Sequence, residues 1–246
     1  MKRGDATVWT VSAVLSVIAV AAVAFSVSVV DRRPRPVDTT GSDASLLVVT
    51  WAPSLCLVEP SNSGCRTGHV GSLGQTFILH GLWPQPSSEQ YCDVPERTPD
   101  RYRSPVPLPD DLKANLKAMM SDSTVMTTHE WYAHGTCSGV TPPQYFGIAT
   151  ALATQAGAVL NPLFARSAGD RVSSRSVRQL FDTTFGAGAG SRVSLSCRDA
   201  AGGSLMYEVR LSLPPVVELS RTPPTLAGAL PAGPPVPPGC GQARLP

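Results

Sequence analysis

His129-Glu130-Trp131-Tyr132-Ala133-His134-Gly135-Thr136-Cys137 places two imidazoles and a carboxylate within six residues. A second stretch, Phe77-Ile78-Leu79-His80-Gly81-Leu82-Trp83-Pro84, carries another histidine, so three of the chain's four histidines fall into two compact motifs. An unperturbed imidazole titrates near about 6.5, and a site that gathers several can take up one proton and release another close to neutrality. The pattern is that of an enzyme.

If the segment around His129 is helical, Glu130 and His134 stand four apart on nearly one face, whereas His129 and His134 stand five apart and diverge. A zinc protease helix needs His-Glu-x-x-His, with both imidazoles on one side, and this chain reads His-Glu-x-x-x-His. No Cys-x-x-Cys pair occurs either, so a metal site is not expected. A carboxylate one turn before His134 could hold that ring and favour its charged form. Gly135 would let the helix end, and Cys137 would pin the segment covalently.

Working outward, all six cysteines (Cys56, Cys65, Cys92, Cys137, Cys197 and Cys240) lie beyond an N-terminal run, residues 6–30, that carries no charge. Lys2 and Arg3 precede that run and Arg32 and Arg33 come after it. It is long enough to be a membrane anchor, and Ala22-Val23-Ala24 offers the competing reading of a cleaved signal peptide. Both send the remainder outside the cytoplasm, where an even cysteine count reads as three disulfides. Residues 1–30 are therefore expected to be the anchor or signal, 31–44 a linker, and 45–246 one domain with a proline-rich tail. The formal net charge of +2 gives no footprint for tight non-specific binding to nucleic acid, so any RNA is held locally.

Aliphatic and β-branched runs at 46–51 and 76–80 predict strands, and the alternation at 192–197 and 205–213 predicts two more around a Gly202-Gly203 turn. Between the first two strands, residues 56–74 read as a stapled loop. Apolar periodicity predicts helices beginning near Pro109, over 144–160 and over 176–185. Ten prolines after Leu213 exclude an ordinary helix or central strand from the tail.

The two motifs resemble the active-site signatures of the ribonuclease T2 family, and the likeness extends over 46–240. It implies an α+β fold, a mixed, mainly antiparallel sheet packed against helices and bonded by disulfides, acting as a monomer on single-stranded RNA without a metal or other cofactor. By the same resemblance His134 takes the ribose 2′-OH proton and His80 protonates the departing 5′-oxygen. His129 and Glu130 stabilise the phosphate, and Trp83 orients the substrate. The products are a 2′,3′-cyclic phosphate and then a 3′-phosphate. Cys92 with Cys137 resembles a bridge common in the family, while Cys56 with Cys65 and Cys197 with Cys240 rest on proximity and elimination. One position departs from the pattern: the lysine usual before the final histidine is Ala133 here. That substitution keeps an alternative open, a catalytically weakened RNA-binding or cell-surface interaction module on the same scaffold.

Overall fold

The computed structural model describes residues 42–246 other than 96 and 97. The expected anchor or signal lies outside these residues, as does most of the linker. Strand β1, Ala44–Trp51, already takes up the last linker residue. It is followed by α1 (Ala52–Val58), α2 (Ser63–Arg66) and α3 (His69–Leu73), so the stretch expected to be a stapled loop is a run of short helices. Their brevity explains the discrepancy, since turns this short leave no apolar period to read. Pro53 sits in the first turn of α1, where its missing N–H costs nothing, and Asn62 caps α2 by accepting from Gly64 N. The Cys56–Cys65 bridge fastens α1 to α2.

Strand β2, Phe77–Gln85, returns alongside β1. Beyond an irregular stretch come α4 (Asp110–Met119), α5 (Ser123–Ala133) and the long α6 (Pro142–Arg166). The chain closes with β3 (Arg171–Ser173), α7 (Ser174–Phe185), β4 (Val193–Ala200), β5 (Gly203–Leu213), α8 (Val216–Leu219), α9 (Leu226–Ala232) and β6 (Gln242–Arg244). The strands order as β2-β1-β5-β6-β3, with β4 also paired to β5. Every pairing of these strands is antiparallel except β5 with β6, which is the expected mixed, mainly antiparallel sheet.

Helix α6 builds the core. Thr141 and Gln144 form a capping box at its start, and Phe146, Ile148, Leu152, Leu160 and Phe164 are buried along it. Phe164 meets Trp51 and Phe77 at ring-centroid distances of 5.4 and 4.6 Å. Asn161 receives the Phe77 N–H at 2.9 Å and donates to Thr76 Oγ1 at 2.9 Å, and Tyr145 donates its hydroxyl proton to the Leu82 carbonyl at 2.7 Å. The start of β2 and its inner residue Leu82 are thereby tied to one helix.

The tail departs from expectation in two places. Leu226–Ala232 is helical although Pro231 lies within it, and Gln242–Arg244 is an inner strand between β5 and β3. Proline forbids only the residues whose N–H it removes or crowds, and 239–245 contain none. Cys197–Cys240 fastens this segment to β4.

Candidate active site

A bulge decides where β2 points its side chains. Val48 pairs with Gly81 and Val49 with Leu79, which leaves His80 as the extra residue. Side chains alternate along a strand, so His80 and Trp83, three apart, would face opposite sides of a regular one. The extra residue reverses the alternation between them and puts both on one face. Their rings meet at 5.0 Å, edge to face. Gly81 must be glycine here, because a Cβ would overlap Glu130 Oε2 and approach Trp83 Nε1.

Helix α5 brings the second motif. Asp122 caps it, accepting from Thr124 N at 3.1 Å, and the Ser63 hydroxyl with the capped backbone donors holds the Asp122 carboxyl below the usual range. His129 and Glu130 project from its last turns. His134 has left the helix, with φ −125° and ψ −47°, and a 3-10 turn, Gly135–Cys137, succeeds it. The divergence of His129 and His134 expected of an unbroken helix therefore does not occur: their rings lie 6.0 Å apart. Gly135 serves by its smallness, since a Cβ there would overlap the Trp131 ring, and not by a left-handed turn. The Cys92–Cys137 bridge pins the turn.

The two motifs converge on Trp83. Its indole N–H donates to Glu130 Oε2 at 2.9 Å, and its ring lies 5.3 Å from that of His134. Glu130 is fully buried; its Oε1 has no hydrogen-bond partner and stands 3.8 Å from His80 Nε2. Glu130 thus faces Trp83 and His80 and does not hold the His134 ring, contrary to the helical expectation. Donor atoms of His129, Glu130 and His134 all lie within 4.8 Å of one another, a convergence that could meet a phosphate or a small cation.

Three further residues complete the surroundings. His80 Nδ1–H donates to Glu208 Oε1 at 2.8 Å, and Glu208 Oε2 accepts from Arg210 Nε at 3.1 Å and Nη2 at 2.8 Å. His129 Nδ1–H donates to Asp100 Oδ2 at 3.0 Å. Glu208 had a sequence signal, a carboxylate in the middle of the apolar run Leu205-Met206-Tyr207-Glu208-Val209, since a charge is seldom buried without a partner. Asp100 lies in a proline-rich stretch and had none.

These contacts drive the histidines apart. Burial alone would lower His80, but the bond to Glu208 and the charges of Glu130 and Glu208 lift it above the ordinary histidine value. Among the described residues no carboxylate is hydrogen-bonded to His134; burial, with His129 and His80 nearby, pushes it down to about 3. Burial raises Glu130, against the pull of His80, His129 and the Trp83 bond. Glu208 falls below its usual range, because His80 and Arg210 outweigh its burial. Across a single indole the site thus holds one imidazole whose affinity for a proton is raised and one whose affinity is lowered.

Comparison with known proteins places the chain among relatives. The family model for the Ribonuclease T2 family matches residues 42–222. The chain is 28% identical over 174 residues to Ribonuclease MC of Momordica charantia, covering 69% of this chain and 86% of that protein. It is 30% identical over 115 residues to a ribonuclease of Aeromonas hydrophila, covering 45% and 44%. The solved structure of ribonuclease MC1 from bitter gourd seeds superposes with a TM-score of 0.53 at 21% identity, over 82% of this chain and all of that one. A mutant of RNase MC1 in complex with 5′-GMP gives 0.54 at 24%, over 74% and 92%. These two likenesses show a shared fold.

Proposed function

The chain belongs to the ribonuclease T2 family, and from that premise we propose that it is an exported endoribonuclease that cuts single-stranded RNA by transesterification, with His134 as general base and His80 as general acid. The observation that carries the assignment is the convergence of the two rings on Trp83, at 5.0 and 5.3 Å; the carboxylates beside His80 favour its charged form and burial keeps His134 neutral, as a donor and an acceptor need.

His134 takes the proton of the ribose 2′-OH, whose oxygen attacks phosphorus. His80 Nε2 then protonates the leaving 5′-oxygen, giving a 2′,3′-cyclic phosphate and a free 5′-hydroxyl. Hydrolysis reverses the roles and yields a 3′-phosphate. Glu130 Oε1, unpartnered and facing His80, lies where it can take part in holding the phosphate group beside that ring. His129, oriented by Asp100, contributes a second donor, and Trp83 orients the substrate. No step calls for a metal.

Export is supported by the pairing of all six cysteines, which suits an oxidising compartment. The N-terminal run would hold the enzyme at the membrane or direct its secretion. Added protease should remove the domain from intact cells in the first case, and a soluble product should appear in the second. The test of the chemistry is incubation of the full chain with a single-stranded oligoribonucleotide in EDTA. Cyclic-phosphate ends are expected, and DNA should survive because attack needs the 2′-OH. Cleavage that stops with chelator, or equal cutting of DNA, would refute the mechanism.

A further inference from the structure

Glu208 is 1% exposed and stands opposite Thr50 in the register of β5 with β1. The ladder that holds β5 to β1 and β4 is made by the backbone and asks nothing of this carboxylate. Its two oxygens are divided, Oε1 to His80 Nδ1 and Oε2 to both donating nitrogens of Arg210. Arg210 keeps about a third of its side chain exposed and places its guanidinium 5.6 Å from the Trp83 ring centroid. Across the three strands Gly81, Val48 and Arg210 are level, as are Ile78, Thr50 and Glu208, so the pair reaches the cleft over β1 on the face that carries His80 and Trp83.

Resting on the assignment of His80 as general acid, we propose that Glu208 is the positioning residue for His80, and that Arg210 is the clamp that fixes Glu208. Because Nδ1–H is committed to Glu208 Oε1, the proton that His80 delivers is always the one on Nε2. That atom faces Glu130. An imidazole with a free Nδ1 would divide its population between two tautomers and two ring orientations, only one of which is productive. The nearby carboxylate also favours the charged ring, the form from which a general acid delivers its proton. Arg210 prevents Glu208 from turning away or taking a proton itself, since a forked guanidinium–carboxylate contact fixes direction as well as charge.

The test is the pH profile of Glu208→Gln. The amide oxygen can still accept from Nδ1–H, but the charge is gone. The titration of the His80 ring, read by NMR, should fall by about one unit or more, and the alkaline limb of kcat/KM should move with it. The acid limb, set by His134, should stay. At pH 7, kcat should drop roughly 10-fold, and Glu208→Asp should restore part of the alkaline limb. A carboxylate that served only packing would change Tm and leave the limb in place, so an unmoved limb in folded, cleaving Glu208→Gln overturns the proposal. Should that variant fail to fold, Glu208→Asp carries the test through the same His80 titration. Arg210→Gln should lower kcat and leave KM within about twofold. A raised KM at unchanged kcat would make Arg210 an RNA contact and overturn its part. Wild type inactive on every RNA would refute the ribonuclease mechanism, whereas active wild type with an indifferent Glu208→Gln refutes only this inference.

Discussion

The sheet side and the helix side of the cleft present the same side chain in opposite conditions. On β2, His80 is backed by a carboxylate that is backed in turn by arginine. Beyond the end of α5, His134 is buried at 9% exposure against an indole and the imidazole of His129. A free imidazole can serve as acid or as base near neutrality; its neighbours decide which. The sheet side withdraws His80 from water and compensates with charge, while the helix side withdraws His134 without compensation.

The hardest blow to this comparison is removal of either ring. His80→Ala and His134→Ala should each cut RNA cleavage by at least about 10². Near-wild-type rates in both would end it, whatever the fold.

Breaking Cys92–Cys137 should fall unequally on the two sides. The bridge spans a sequence separation of 45 and pins the turn after His134, on the helix side of the cleft. Replacing both cysteines with alanine should destabilise the protein by roughly 4 kcal/mol on chain-entropy grounds. It should also raise the His134 value as the ring gains water, with His80 unmoved by NMR. Equal shifts in both would show that the halves are not independent.

Stability against pH gives a third probe. His80, raised in the folded state, contributes stability below its unfolded value near about 6.5, and that contribution is lost as pH rises through the folded value. His134, lowered to about 3, contributes stability above the unfolded value that is lost as pH falls toward the folded one. Tm should therefore decline on both sides of a near-neutral maximum. His134→Gln should flatten the acid side and His80→Gln the alkaline side; exchange of those effects would invert the assignment.

The smallest effect is expected at Ala133, which is 1% exposed on the helix side. A lysine there should raise kcat by up to about 10-fold if the developing phosphate charge lacks a cation. No change beside an already fast wild type would give that task to another cation, with Arg210, by the Trp83 ring, the first to examine.

Much of the cleft could be read from local spacing. The two motifs, the core strands and α6 all announce themselves within a few residues of their own positions or by their residue types, whereas the Cys92–Cys137 pair came from the family resemblance and the other two pairs from proximity and elimination. What stayed hidden depends on partners distant in sequence. The bulge at His80 exists only against β1, and Glu208 lies 128 residues from the ring it holds. Whether a mid-strand carboxylate is buried cannot be decided without knowing which strand lies beside it. The helical wheel failed at His134 because one residue stepped out of the helix, which is enough to change every neighbour. Asp100 shows the other limit, for an irregular segment has no period from which a direction can be inferred.

Strand β6 falls within the last five residues of the chain, yet it lies inside the sheet, and β3 pairs with it alone among the described residues. The order of synthesis is therefore not the order of assembly. β3 meets its strand partner only after more than sixty later residues have emerged, and the sheet can be completed only once translation has reached β6. A chain that stopped a few residues early would carry its entire cleft and still lack the piece that closes its architecture.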